Sequence, residues 1–134
     1  MADAVASQTL VDGDRVAVMK FTNISDGTGE NKVLKVDVSS LSSNIAGKAC
    51  TGVDITDIIV CTEGMGIILY WDADTDVVIT TLTQNSVYRL KMADFGGYIN
   101  NAGTGVTGDV LLSTVGHTSG DSYTITLKML KKYG

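Results

Sequence analysis

At 134 residues the chain has the size of one domain, and a chain this long buries about two-thirds of its unfolded surface, enough for a core without staples. Apolar residues make up 44% but aromatic ones only 6%, so Val, Ile, Thr, Ser and Gly set a strand-and-turn vocabulary. The formal charge of -5 repels phosphate backbones and anionic lipid, so neither nucleic acid nor a membrane is an expected partner.

The start "MADAVASQTL" lacks the basic residues and apolar run of a signal peptide, and no stretch approaches the roughly 20 apolar residues that span a bilayer. The expectation is a chain at home inside a cell. Residues 1 to 14 are small, polar and unpatterned, and are read as an N-terminal arm ahead of a single domain over 15 to 134.

Eight short apolar runs follow in chain order: 15–22, 32–38, 54–62, 65–72, 76–82, 86–92, 109–115 and 122–130. Turn chemistry separates them, carried by Gly, Asn and Asp because the chain has no Pro. Eight such runs predict an all-β fold, an antiparallel β-sandwich or barrel of about eight strands. The clearest alternation is the last, where Tyr123, Ile125, Leu127 and Met129 alternate with Thr124, Thr126 and Lys128. The ending "KMLKKYG" reads as an exposed basic tip on an edge strand. Between 38 and 47, Leu41 and Ile45 are four apart, but the serines around them limit any helix to one turn.

Cys50 and Cys61 can close one small loop as a disulfide or stay as thiols, the commoner state in a reducing cytosol. With His117 as the single histidine, no metal site is expected.

Three stretches imitate chemical motifs. Gly103, Gly105 and Gly108 match G-x-G-x-x-G, but a dinucleotide loop ends a strand and opens a helix, whereas these glycines run into the strand-like "DVLLSTV". No cofactor is expected there. Asp72, Asp74 and Asp76 copy the first acidic positions of a calcium loop, yet Val77 stands where Gly is needed and Thr83 where Glu is needed. A hairpin turn is the expected reading. His117, Ser119, Asp121 and Ser122 crowd one turn, while hydrolase triads gather from separate segments around a strained nucleophile. The chain is therefore not expected to be an enzyme. Of the neighbours Tyr70 and Trp71, alternation sends one inward and leaves the other as a single exposed aromatic.

Residues 7–30, 69–79 and 95–129 carry a resemblance. These stretches, "SQTLVDGDRVAVMKFTNISDGTGE", "LYWDADTDVVI" and "FGGYINNAGTGVTGDVLLSTVGHTSGDSYTITLKM", resemble the small all-β virion structural proteins of tailed bacteriophages, of the capsid decoration or cement type. The fold expected is a jelly-roll-like sandwich, and the resemblance implies a protein that binds the outer surface of the major capsid protein shell and stabilises it. It further implies a symmetric homo-oligomer, a trimer before a dimer, made in the bacterial host cytoplasm and carried on the virion's outer capsid surface. No catalytic residue comes with it.

Adhesion of this kind calls for an arm or edge, and the candidate capsid contacts are Ala2, Asp3, Ala4, Val5, Ala6, Ser7, Gln8, Thr9 and Leu10. The loops at 23–31 and 95–108 either reach over neighbours or are ordinary solvated connections. The competing expectation is another virion module, such as a tail-fibre or receptor-binding domain holding glycans through Trp71, Tyr98, Asn100 and Asn101.

Overall fold

The computed structural model describes residues 4–85 and 87–133. Nine strands run through them: β1 (Ala4–Asp12), β2 (Val16–Ile24), β3 (Val33–Val36), β4 (Cys50–Glu63), β5 (Gly66–Trp71), β6 (Val77–Leu82), β7 (Val87–Lys91), β8 (Val110–Val115) and β9 (Ser122–Tyr133). The helical content of the described residues is two 3-10 turns, at Val38–Ser40 and Ala93–Phe95. The first lies where a single turn is expected, with the Asp37 carboxylate accepting the Ser39 N–H as its cap.

Pairing follows a nested order. β5 pairs with β6, β4 with β7, β3 with β8 and β2 with β9, so residues 16–71 are one long arm of a hairpin and residues 77–133 the other. Wrapping that hairpin upon itself brings β4 beside β9 and β5 beside β8. The result is two antiparallel sheets, β1-β2-β9-β4-β7 and β3-β8-β5-β6, the strand order of a jelly roll with β1 added outside β2.

Alternation builds the core between the sheets. From the larger sheet come Ala17, Met19 and Phe21 of β2, Val53, Ile55, Ile58 and Val60 of β4, and Ile125, Leu127 and Met129 of β9; the smaller sheet answers with Ile67, Leu69, Trp71, Val110 and Leu112. Full burial of one such side chain is worth roughly 1.5–3 kcal/mol. A bulge between Ile55 and Asp57 lets Ile55 and Ile58, three apart, both face inward.

Several expectations are corrected here. Residues 4–12 are not an unpatterned arm: they form β1, in register with β2 from Ala4 opposite Ile24 to Asp12 opposite Ala17. Both faces of β1 are exposed, so nothing selected an alternating pattern that would betray a strand. The end of the chain is no edge tip either, because β9 lies between β2 and β4 and Lys131 is buried. The inward register that runs through Tyr123 and Met129 continues onto Lys131. Cys50 and Cys61 are both free and both in β4, where a rise of about 3.3 Å per residue holds them too far apart for a disulfide.

Candidate functional site

β1 offers the longest open sheet edge. From Ala4 to Val11 it carries no charge and no Pro, every residue is exposed, and among the described residues no strand pairs with its far side. Alternate residues of an antiparallel strand direct their N–H and C=O groups to each side, so half of these groups point away from β2. The other sheet ends are protected in familiar ways. β3 is four residues long and bulged, β6 is bulged, and β7 carries Arg89 and Lys91. A bulge at Leu10 is the single irregularity of β1. Of the candidate contacts, Ala4 to Leu10 therefore share this edge strand, while Ala2 and Asp3 lie outside the described residues.

The lower end of β1 is fastened by a buried cation. Lys131 Nζ donates to Asp12 Oδ1 at 2.6 Å, to the Gly13 carbonyl at 2.9 Å, and to the Ser42 carbonyl at 2.8 Å and Oγ at 3.1 Å. The Lys131 side chain is fully buried while the Asp12 side chain keeps a quarter of its exposure. Burial acts to raise the Asp12 carboxyl, but the hydrogen bonds from Lys131 and Ser42 and the nearby positive charge outweigh it and hold it below the ordinary value. For Lys131, burial acts to lower the ammonium; the bonds to Asp12 and Tyr133 prevail and hold it above. Ser42 N–H and Oγ also bond to Asp12, and Asp14 Oδ1 accepts the Ile45 N–H, so the segment after the first 3-10 turn is pinned to the β1–β2 turn.

The glycine-rich loop packs against the acidic turn. Asp74 N–H donates to the Thr104 carbonyl, Thr107 N–H to the Asp72 carbonyl and Thr107 Oγ1 to Asp72 Oδ2 at 2.9 Å. Gly105, at φ +80°, brings its backbone against the Asp74 carboxylate, and Gly108, at φ +88°, brings its own against the Thr51 carbonyl. Two of the three glycines that match a dinucleotide loop are thus ones the turn requires, and β8 rather than a helix follows them. Asp76 caps the Ala73 N–H and pairs with Lys32 at 3.3 Å; that N–H, then the lysine, hold its carboxyl low. Asp109 goes the other way: burial first, then the charges of Asp37 and Asp72, raise it despite the N–H that Val38 donates. Among the described residues no cluster of three or more His, Cys, Asp or Glu could hold a metal ion.

His117 and Asp121 serve different neighbours. His117 Nδ1 is 3.1 Å from Thr114 Oγ1, whereas Asp121 Oδ2 accepts the Thr118 N–H at 2.7 Å and hydroxyl at 3.0 Å. These are the bonds of a turn joining β8 to β9.

Of the residues expected to hold glycans, Trp71 is not at the surface, while Asn100 is half-buried and Asn101 is exposed. Trp71 is in the core at 1% exposure, and its neighbour Tyr70 is the half-exposed one, beneath the Lys32 ammonium 5.1 Å from its ring centre. Tyr98 exchanges backbone bonds with Ile55 and packs on the core, and Asn100 Oδ1 accepts the Ala102 N–H in a local turn. The 95–108 loop is therefore bound to β4 and to the Asp72–Asp74 turn, and the 23–31 loop to β8, where Glu30 N–H donates to Thr114 Oγ1. Sequence reasoning missed Lys131, Asn23, Glu30 and Lys35. The signal for two of them is the inward register itself, which reaches Asn23 after Phe21 and Lys131 after Met129.

No family model matches the chain, and no curated protein matches it. Among solved structures it is similar to a cupin domain from Bordetella pertussis Tohama I, with 13% identity over 98% of this chain and 97% of that one and a TM-score of 0.36. It is similar also to Peruvianin-I, a cysteine peptidase from Thevetia peruviana latex, with 10% identity over 100% of this chain and 70% of that one and a TM-score of 0.41. A third is CBM29_1, a family 29 carbohydrate binding module from Piromyces equi, with 9% identity, 93% and 91% coverage and a TM-score of 0.35. Likenesses of this grade carry no argument about function.

Proposed function

We propose that the chain is a capsid decoration protein of a tailed bacteriophage, a non-enzymatic adhesive that binds the outer surface of the major capsid protein shell as a symmetric homo-oligomer. The observation that carries the reading is β1: nine exposed residues, uncharged from Ala4 to Val11, with an open backbone edge on a rigid sandwich. Such an edge accepts an added strand, main-chain hydrogen bonds supplying affinity and alternate side chains supplying register. Closed symmetry multiplies each weak contact, since a second engagement by a linked copy occurs at high effective concentration. A trimer matches the local three-fold positions of an icosahedral shell and is preferred to a dimer for that reason.

The test is electron microscopy of shells assembled from the same phage's major capsid protein, with and without this chain, together with the intact virion. Added density at local symmetry axes of the outer shell is the expected outcome. Density confined to the tail tip would transfer the chain to receptor recognition, and absence from the particle would sink both readings.

A further inference from the structure

Four polar side chains from four elements meet inside the sandwich. Glu30, in the link between β2 and β3, is 5% exposed in its side chain, and Lys35 of β3 is 2% exposed. Lys35 Nζ lies 2.5 Å from Glu30 Oε2, while Glu30 Oε1 accepts Asn23 Nδ2 at 2.7 Å and the Tyr123 hydroxyl at 2.5 Å. Asn23 belongs to β2 and Tyr123 to β9, both in the larger sheet, and Lys35 faces them from the smaller one. The Glu30 backbone is itself fixed, its N–H on Thr114 Oγ1 and its carbonyl on the Thr114 N–H.

Taking both charges out of water carries a penalty that apolar residues of the same volume would avoid, so stability alone does not account for this group. Its composition does point somewhere. One buried carboxylate holds a primary amine on one oxygen and a primary carboxamide on the other: a nucleophile, an electrophile and a proton relay. We propose that Lys35 and Asn23 become joined side chain to side chain by an isopeptide bond, with Glu30 relaying the protons and ammonia leaving.

The step balances without any further reagent. A proton passes from the Lys35 ammonium to Glu30 Oε2, which frees the lone pair on Nζ. That pair adds to Asn23 Cγ, and the electrons of the C=O bond move onto Oδ1. Glu30 gives its proton to Nδ2 and takes a second one from Nζ. The carbonyl then re-forms, the Cγ–Nδ2 bond breaks, and ammonia departs carrying the remaining proton as ammonium, leaving Glu30 ionised as it began. Fixing amine and amide against one carboxylate makes the reaction unimolecular, and exclusion of water removes hydrolysis as a competitor. The product ties the first strand of the jelly roll in one sheet to β3 in the other.

Intact mass of the folded, then denatured, wild-type chain reads the outcome. The expected mass is lower than that of the sequence by one ammonia. Trypsin, which cuts after unmodified lysine, releases residues 21–32 and 33–35 as separate peptides from an unlinked chain. From the linked chain it releases 21–32 joined through Asn23 to 33–48, because Lys35 is no longer cut. Glu30→Gln and Lys35→Arg should each return the full sequence mass. Full mass in the aged wild-type protein, with 21–32 and 33–35 recovered separately, overturns the proposal. Loss of ammonia without the branched peptide, the mark of an asparagine cyclising on its own backbone, overturns it equally.

Discussion

Lys131 Nζ and Asp12 Oδ1, 119 residues apart in the chain, lie 2.6 Å from one another and join the end of β1 to β9. The lysine stands at an inward position of its strand, and its charge is met by four oxygens: those of Asp12 and Gly13 and two of Ser42. This contact adds a side-chain fastening to the ladder that already joins β1 to β2.

Lys131→Met keeps the volume and removes the charge. Breaking a buried pair by deleting one partner costs about 3–5 kcal/mol, and the lower end applies because Asp12 can turn to water. Urea denaturation should register a loss of about 3 kcal/mol by that reasoning. Amide exchange in β1 should accelerate more than in β5. Equal acceleration in both would mean that Lys131 supports the whole sandwich and has no special hold on β1.

Acid should undo the same contact. The folded Asp12 carboxyl titrates below its unfolded value of roughly 3.9, so the unfolded chain binds the proton first as pH falls. Its contribution is complete above the unfolded value and disappears as pH drops through the depressed folded one. Denaturation midpoints followed from pH 7 to pH 3 should therefore decline more steeply in the wild type than in Asp12→Asn. Parallel curves would show that Asp12 is not held low.

Gly105→Ala should weaken the fold and touch no ligand. A left-handed backbone costs a non-glycine residue roughly 1–2 kcal/mol, and the added methyl also meets the Asp74 carboxylate. Calorimetric titration with NAD or ATP should show no binding to either form. Saturable binding lost in the variant would make the glycine loop a cofactor site after all.

Charge placed on the open edge should act on shells and not on the fold. Val5→Lys with Ser7→Lys puts two cations on an exposed strand, where stability normally moves by no more than about 0.5 kcal/mol. Shell occupancy at limiting concentration should fall by about tenfold or more, because each site of a linked oligomer weakens together. Unchanged occupancy would remove β1 from the contact.

The strands that were legible in the sequence are those with one face in the core. β2, β5 and β9 show their alternation because Phe21, Leu69 and Leu127 must face inward and their neighbours must not. β1 was illegible for the opposite reason: with both faces in water, "AVASQTLVD" has no face to mark. Glu30 and Lys35 are hidden by a different rule: a charged residue, whether in a turn like Glu30 or in a short strand like Lys35, is usually solvated, and only their mutual contact permits burial. The acidic turn is legible as a turn from its residues, yet its attachment to Thr104 and Thr107 is a long-range pairing that no local pattern announces.

The placement of β9 also governs when the protein can exist. Residues 122–133 fill the gap between β2 and β4, so the larger sheet lacks its central strand until that segment has left the ribosome. Until then Phe21 of β2, already beside β1, and Ile58 and Val60 of β4, beside β7, lack the strand that lies between them. Folding is accordingly late and governed by pairings between distant segments, the slow class among domains of this size. A chain in that condition exposes the facing edges of β2 and β4, the kind of unpaired edge that makes partly folded species prone to aggregate.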